Sequence, residues 1–218
     1  MNLSRRTILL ASAAAAGMIA VSSTLLNRLG GPARRTLTAL EKNTCAKTVE
    51  AVEGPYWVSG MAEVTDGNIN FTKLEGSPIE VTGHVYDGLD ISKPLANAEV
   101  EIWHADNSGN YHPNGNGPAT NYKVEELALR GFVRTDANGA YRLSTIFPGE
   151  YSGRVRHYHF KVRAAGKSEL TTQLIFPART GDTLTFDTDD IAEGLPNCQQ
   201  LVLDETSSPA KASFDFRL

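Results

Sequence analysis

Two histidines one residue apart, His157 and His159, sit in the run Val155–Phe160. On a β-strand, residues i and i+2 point to one face, so both imidazoles can converge on a single metal ion. Taken alone, the pair reads as a polar strand face; its neighbours change that reading. Tyr151 follows the Pro148-Gly149 turn, close enough to His157 for a loop to fold back over the strand. Tyr111 follows another sharp turn, Ser108-Gly109-Asn110, at the end of the run Val100–Ala105. Phenolate oxygen is a hard anionic donor, and two phenolates with two imidazoles suit a trivalent metal such as Fe(III). Zinc or copper more often recruits three histidines or thiolates. A copper or zinc hydrolase built from His104 or His112 with His157 and His159 is a weaker reading, because no carboxylate stands at helical or strand spacing to act as its base.

The elements that must position these groups are strands. Ile79, Val81, Gly83 and Val85 alternate with polar neighbours, and Val100, Ile102 and His104 do the same on the next run. Phe132-Val133 precedes Asp136-Ala137-Asn138-Gly139, which reads as a hairpin turn into Tyr141–Thr145. Further strands are expected at 156–163, 171–176, 183–187, 199–205 and 212–217, and no long amphipathic helix follows residue 50. With 19 Gly and 10 Pro in 218 residues, turns are frequent. The pattern predicts an all-β fold, an antiparallel β-sandwich with long loops over residues 78–218. Residues 31–77 read as an arm and loops, with a short helix around Thr36–Glu41 and two exposed aromatics, Tyr56 and Trp57, on a turn.

Residues 1–30 read as an export signal, with a retained membrane anchor as the alternative. Ser4-Arg5-Arg6-Thr7 precedes an apolar run of small residues, the form of a twin-arginine signal that carries folded proteins across a bacterial membrane. Periplasmic or extracellular localisation follows, with membrane contact only through this segment. The whole chain carries a formal charge of −4; without residues 1–30, which hold three of the 21 basic residues and none of the 25 acidic ones, it carries −7. That balance argues against a nucleic-acid partner. In an oxidising compartment the two cysteines, Cys45 and Cys198, can pair and tie the arm to the C-terminal region.

The stretch Val81–Phe160 resembles the intradiol ring-cleavage dioxygenases, with the nearer likeness to protocatechuate-type β subunits and exported single-domain relatives. The likeness rests on Pro94–Ala98, Ile102-Trp103-His104-Ala105 with Gly109-Asn110-Tyr111, and Arg130-Gly131-Phe132 with Thr135–Gly139. Pro148-Gly149-Glu150-Tyr151, Arg154, His157-Tyr158-His159-Phe160 and Thr172-Gln173-Leu174 continue it, and Glu53-Gly54-Pro55-Tyr56 resembles the family's entry motif. The resemblance implies that Tyr111 and His157 are equatorial ligands of Fe(III) and Tyr151 and His159 the axial pair. It implies that Arg154 stabilises substrate negative charge, that Tyr151 leaves as a base and that Gln173 is a polar substrate-binding residue. Substrates would be a catechol and O2, and the product a cis,cis-muconate-type diacid. A homo-oligomer or a second subunit is compatible with this reading. Arg156 departs from the family pattern before the first histidine; it, Arg130 or Arg134 could supply a cation for a substrate carboxylate. An alternative reading is a transthyretin-like sandwich that binds without catalysis.

Overall fold

The computed structural model describes residues 46–218. The expected export signal, the Thr36–Glu41 helix and Cys45 lie outside the described residues. The strands are β1 (Val58–Ser59), β2 (Pro78–Tyr86), β3 (Glu99–Trp103), β4 (Gly117–Pro118), β5 (Arg130–Arg134), β6 (Ala140–Ile146), β7 (His157–Arg163), β8 (Leu170–Ile175), β9 (Val202–Asp204), β10 (Ala210–Ser213) and β11 (Phe216–Arg217). One sheet runs β5-β3-β7-β8, antiparallel throughout. The other is built on β2, which pairs antiparallel with β6 and parallel with β10 and β11; β9 borders β10. The expected antiparallel sandwich is therefore mixed in one layer, because the chain re-enters that sheet in the direction of β2.

Alternation builds the core between the layers. Ile79, Val81 and Val85 of β2 and Tyr141 and Leu143 of β6 meet Val100, Ile102, Tyr158, Phe160, Val162 and Leu174 from the other sheet, all buried. The outer face of the β5-β3-β7-β8 sheet is covered too. The segment 48–57 crosses it, with Ala51 N donating to Thr171 O at 2.9 Å, Thr172 Oγ1 to Val49 O at 2.7 Å and Trp57 Nε1 to Glu101 Oε1 at 2.9 Å. Trp57 lies under the Lys161 ammonium at 4.6 Å, and Tyr56 stacks on Tyr111, so neither is the exposed aromatic that the turn suggested.

Two expectations need correction. Residues 183–187 are not a strand. Glu150 accepts from the Thr183 and Leu184 N–H groups, and the 3-10 turn Phe186–Thr188 and helix α1 (Asp190–Glu193) follow. Side-chain acceptors there take the N–H groups that a ladder would have used. Asp136–Gly139 is not a hairpin between paired strands either: β5 pairs with β3 and β6 with β2, so the turn carries the chain from one layer to the other. Its tight geometry is local, with Asp136 Oδ1 accepting from Asn138 N at 2.8 Å and Ala140 N at 2.9 Å. Among the described residues no helix is long and apolar enough to cross a membrane. Cys198, in the 3-10 turn Asn197–Gln199, is disulfide-bonded.

Candidate functional site

Strand register assembles half of the site. Trp103 faces Arg130 across β3–β5 and His159 across β3–β7, and His159 faces Gln173 across β7–β8. Directly opposed residues share a face, so Arg130, Trp103, His159 and Gln173 form one row on the outer side of the sheet. His157 precedes His159 on that same face. Tyr158 between them points into the core, where its hydroxyl donates to Ile146 O at 2.9 Å. The His159 ring stacks on Trp103, with centroids 4.9 Å apart and planes 12° apart.

The other half comes from two turns pressed together. Asp106 Oδ1 accepts from Ser108 N at 2.8 Å and Asn110 N at 2.9 Å, shaping the turn into Tyr111. Gly149 N donates to Asp106 O at 2.7 Å, which docks the Tyr151 segment on that turn. A Cβ on Gly149 would sit 2.5 Å from Gly109 N, and one on Gly109 2.6 Å from Glu150 O. Only glycine at both positions permits this approach. Tyr151 and Arg154 then close a tight turn by exchanging backbone hydrogen bonds, with Ser152 at φ 46° and Gly153 at φ 79°. Arg130 fixes the surroundings: its buried guanidinium donates to His112 O at 2.6 Å, Tyr56 O at 2.8 Å and Pro113 O at 3.3 Å.

These elements bring four of the sequence-derived residues to one point. Tyr111 Oη lies 2.9 Å from Tyr151 Oη, Tyr151 Oη 3.1 Å from His157 Nε2, and His157 Nε2 3.2 Å from His159 Nε2. His157 Nδ1–H donates to Val155 O at 2.6 Å, which turns the Nε2 lone pair toward the cluster. Burial lowers the pKa of His157 to about 4 and holds that of His159 well below its ordinary value, and the Arg154 charge reinforces both shifts. Both imidazoles are therefore neutral at pH 7. Burial raises both phenols, Tyr111 far above its ordinary range, with Tyr151 adding to the Tyr111 shift. Arg154 pulls the other way on both tyrosines, so its charge is felt by all four groups.

Two neutral imidazole nitrogens and two phenol oxygens, with no carboxylate or thiolate, fit a hard cation of high charge whose field would ionise the phenols. Among the described residues no group of three or more His, Cys, Asp and Glu could hold a metal ion, so a site here depends on the tyrosines. The histidines of the hydrolase reading are engaged elsewhere. His104 is fully buried on the core side of the sheet, with Nε2 at 2.7 Å from Thr145 Oγ1 and Nδ1 at 2.7 Å from Ala105 O. His112 Nε2 lies 2.8 Å from Asp106 Oδ2.

Arg154 and Gln173 also meet, Arg154 Nη2 donating to Gln173 Oε1 at 2.6 Å, while Gln173 Nε2 donates to Val52 O at 2.8 Å. Gln173, placed in the row by register, thus also holds Arg154. The three arginines considered for a substrate carboxylate are committed to the protein: Arg130 to the carbonyls above, Arg134 to Glu63 and Glu99, and Arg156 to Asp182 at 2.7 Å and to Pro148 O. Arg156 neither joins the site nor faces open solvent. Sequence reasoning missed Asp189, whose carboxylate pairs with Arg154 at 2.9 Å, and the stacking of Tyr56 on Tyr111 at 4.2 Å. The one signal for Asp189 was its place before a short helical run, which marks a cap and says nothing of a partner.

Residues 52–218 match the family model described as Dioxygenase. The chain is 36% identical over 148 residues to catechol 1,2-dioxygenase 2 of Acinetobacter lwoffii, covering 58% of this chain and 50% of that protein. It spans about half the length of the curated relatives it matches. Among solved structures it resembles the dioxygenase domain of a dioxygenase carbohydrate-binding protein fusion from Streptomyces sp. SirexAA-E, with a TM-score of 0.63 at 30% identity over 79% of this chain and 97% of that one. It also resembles catechol 1,2-dioxygenase from Acinetobacter sp. ADP1, with a TM-score of 0.62 at 28% identity over 78% of this chain and 62% of that one.

Proposed function

Because this chain belongs to the intradiol ring-cleavage dioxygenase family, we propose that it cleaves a catechol between its two hydroxylated carbons with O2, giving a cis,cis-muconate-type diacid. The observation that carries this reading is the run of 2.9, 3.1 and 3.2 Å contacts joining Tyr111, Tyr151, His157 and His159 beside Arg154. These four residues would hold ferric iron. Such an ion supplies Lewis acidity toward catecholate oxygens and an acceptor for electron density from the ring.

The chain's own residues divide the remaining work. A catechol that binds through both oxygens gives up two protons, and Tyr151 Oη is the group placed to take one. It is the least enclosed of the four, half-buried where Tyr111, His157 and His159 are buried, and it rides on the left-handed turn at Ser152-Gly153. Arg154 orients the anionic ring and stabilises charge that develops on its oxygens. Tyr56 and Trp103 cover Tyr111 and His159 with aromatic faces and keep water off them.

Protein purified from iron-replete cells is expected to be red-brown, to contain iron, and to consume one O2 per catechol. Catechol, protocatechuate and hydroxyquinol are the substrates to assay, with mass and ultraviolet identification of the product. A colourless protein with no oxygen uptake on any of them overturns the proposal, and a yellow semialdehyde places cleavage beside the diol instead.

We further propose export by the twin-arginine route, supported by Ser4-Arg5-Arg6 and the mild hydrophobicity of the run behind it. Changing Arg5 and Arg6 to lysine is expected to strand the precursor in the cytoplasm. Unchanged export would assign the general secretory route.

A further inference from the structure

We propose that Asp189 is a positioning residue that sets the orientation and effective charge of Arg154 toward the substrate, an inference that rests on the dioxygenase reading above. Asp189 lies 35 residues beyond Arg154, in a loop that contributes none of the four converging groups. Its side chain is fully buried, with 0% exposure, while that of Arg154 is 15% exposed. A carboxylate in such a place needs partners for every lone pair, and Asp189 has them. Oδ1 accepts from Ile191 N at 3.1 Å, Ala192 N at 3.0 Å and Arg154 Nε at 3.0 Å. Oδ2 accepts from Val155 N at 2.9 Å and Arg154 Nε at 2.9 Å.

Three of these donors are backbone amides on either side of the contact, so the carboxylate is fixed whether or not the arginine is there. Burial opposes ionisation of Asp189, yet the hydrogen bonds from Ala192 N–H, Arg154 and Val155 N–H outweigh it and hold the group below its ordinary range. Asp189 is thus a rigid anion set beside a long, flexible cation. Arg154 needs such a brace, because it follows Ser152-Gly153 on a tight turn, where the chain itself constrains the guanidinium least. Asp189 grips Nε and Gln173 grips Nη2, which leaves the Nη1 end of the fork for the substrate. The same pairing neutralises part of the arginine's charge and so limits how tightly it holds an anionic ring before reaction.

A double-mutant cycle with Asp189→Asn and Arg154→Ala tests this. Asparagine keeps the shape and, through Oδ1, the cap on α1, but sets its Nδ2 against the Val155 and Arg154 donors, so a thermal melt is run beside the kinetics to separate any loss of fold from loss of function. Asp189→Asn in the iron-loaded protein is expected to lower kcat by up to about a hundredfold, the size of loss that a small misplacement of a catalytic group produces, with iron content and visible spectrum unchanged. It is also expected to change the affinity for 4-nitrocatechol, read by absorbance titration. In the Arg154→Ala background the same change should alter both quantities by less than about twofold. An equal loss in both backgrounds, or full turnover by Asp189→Asn alone, overturns the role. Oxygen uptake by the wild-type protein decides the dioxygenase reading independently, since the 4-nitrocatechol arm still measures the Asp189–Arg154 coupling in a protein without turnover. Asp189→Glu, which restores the charge at a displaced position, is expected to recover neither wild-type affinity nor wild-type kcat; full recovery of both overturns a role that depends on where the carboxylate sits.

Discussion

His157→Leu is expected to yield a folded protein that has lost its iron, its colour and its turnover together. His157 is buried at 2% exposure, and its Nε2 is within 3.2 Å of both Tyr151 Oη and His159 Nε2. Leucine fills nearly the same volume with no donor, so the site keeps its walls and loses a nitrogen. Mutating a partner one layer out from a metal typically costs about 10- to 100-fold in metal affinity, and removing a ligand should cost more. The fold pays a smaller cost. Val155 O loses the Nδ1–H bond at 2.6 Å, worth about 1–3 kcal/mol if that carbonyl stays dry. Metal analysis, the visible spectrum and a thermal melt on the same preparation separate the two effects. A red-brown, iron-replete and active His157→Leu protein would remove this residue from the centre.

Arg154→Ala should do the reverse, leaving the iron colour intact while turnover collapses. The guanidinium has no hydrogen bond to the four converging groups, but its charge acts on every one of them. Removing a donor of this type from a site where negative charge develops typically costs about 2.7–4 kcal/mol, or roughly a hundred- to a thousandfold in kcat. Breaking a buried ion pair by truncating one partner is often strongly destabilising. Here the loss is moderated, since Asp189 keeps the Val155, Ile191 and Ala192 N–H groups as donors. A melt close to wild type with a kcat reduced at least a hundredfold is the expected pair of results. Wild-type kcat with a raised KM would make Arg154 a binding residue only.

The errors of the sequence reading have a common cause. Thr183, Leu184, Thr185 and Phe186 have strand-forming side chains, and local propensity alone reads them as a strand. Glu150, more than 30 residues earlier, takes the N–H groups of Thr183 and Leu184 at 2.9 Å, and Thr188 Oγ1 takes that of Thr185 at 3.0 Å. Asp136–Gly139 has every mark of a hairpin turn and forms the expected tight loop. Its flanking strands nonetheless go to different layers, because β5 finds its partner in β3 and β6 in β2. Local chemistry shapes a turn, and the partners of the strands it joins are chosen by packing.

What the sequence by itself determined is therefore what depends on short spacing. The two-residue period of a strand puts His157 and His159 on one face and Tyr158 on the other. The turn residues before Tyr111 and Tyr151 mark both tyrosines as leaving loops, and the apolar alternation marks the core. Only the tertiary structure decided that those loops touch, through Gly109 and Gly149, and so that two phenols meet two imidazoles. It also decided that Arg156, beside His157 in the chain, is tied to Asp182, and that Arg154 is braced by Asp189. Those contacts join segments 26 and 35 residues apart. Neither periodicity nor propensity carries information over such distances, because the pairing depends on which surfaces the two folded layers bring together.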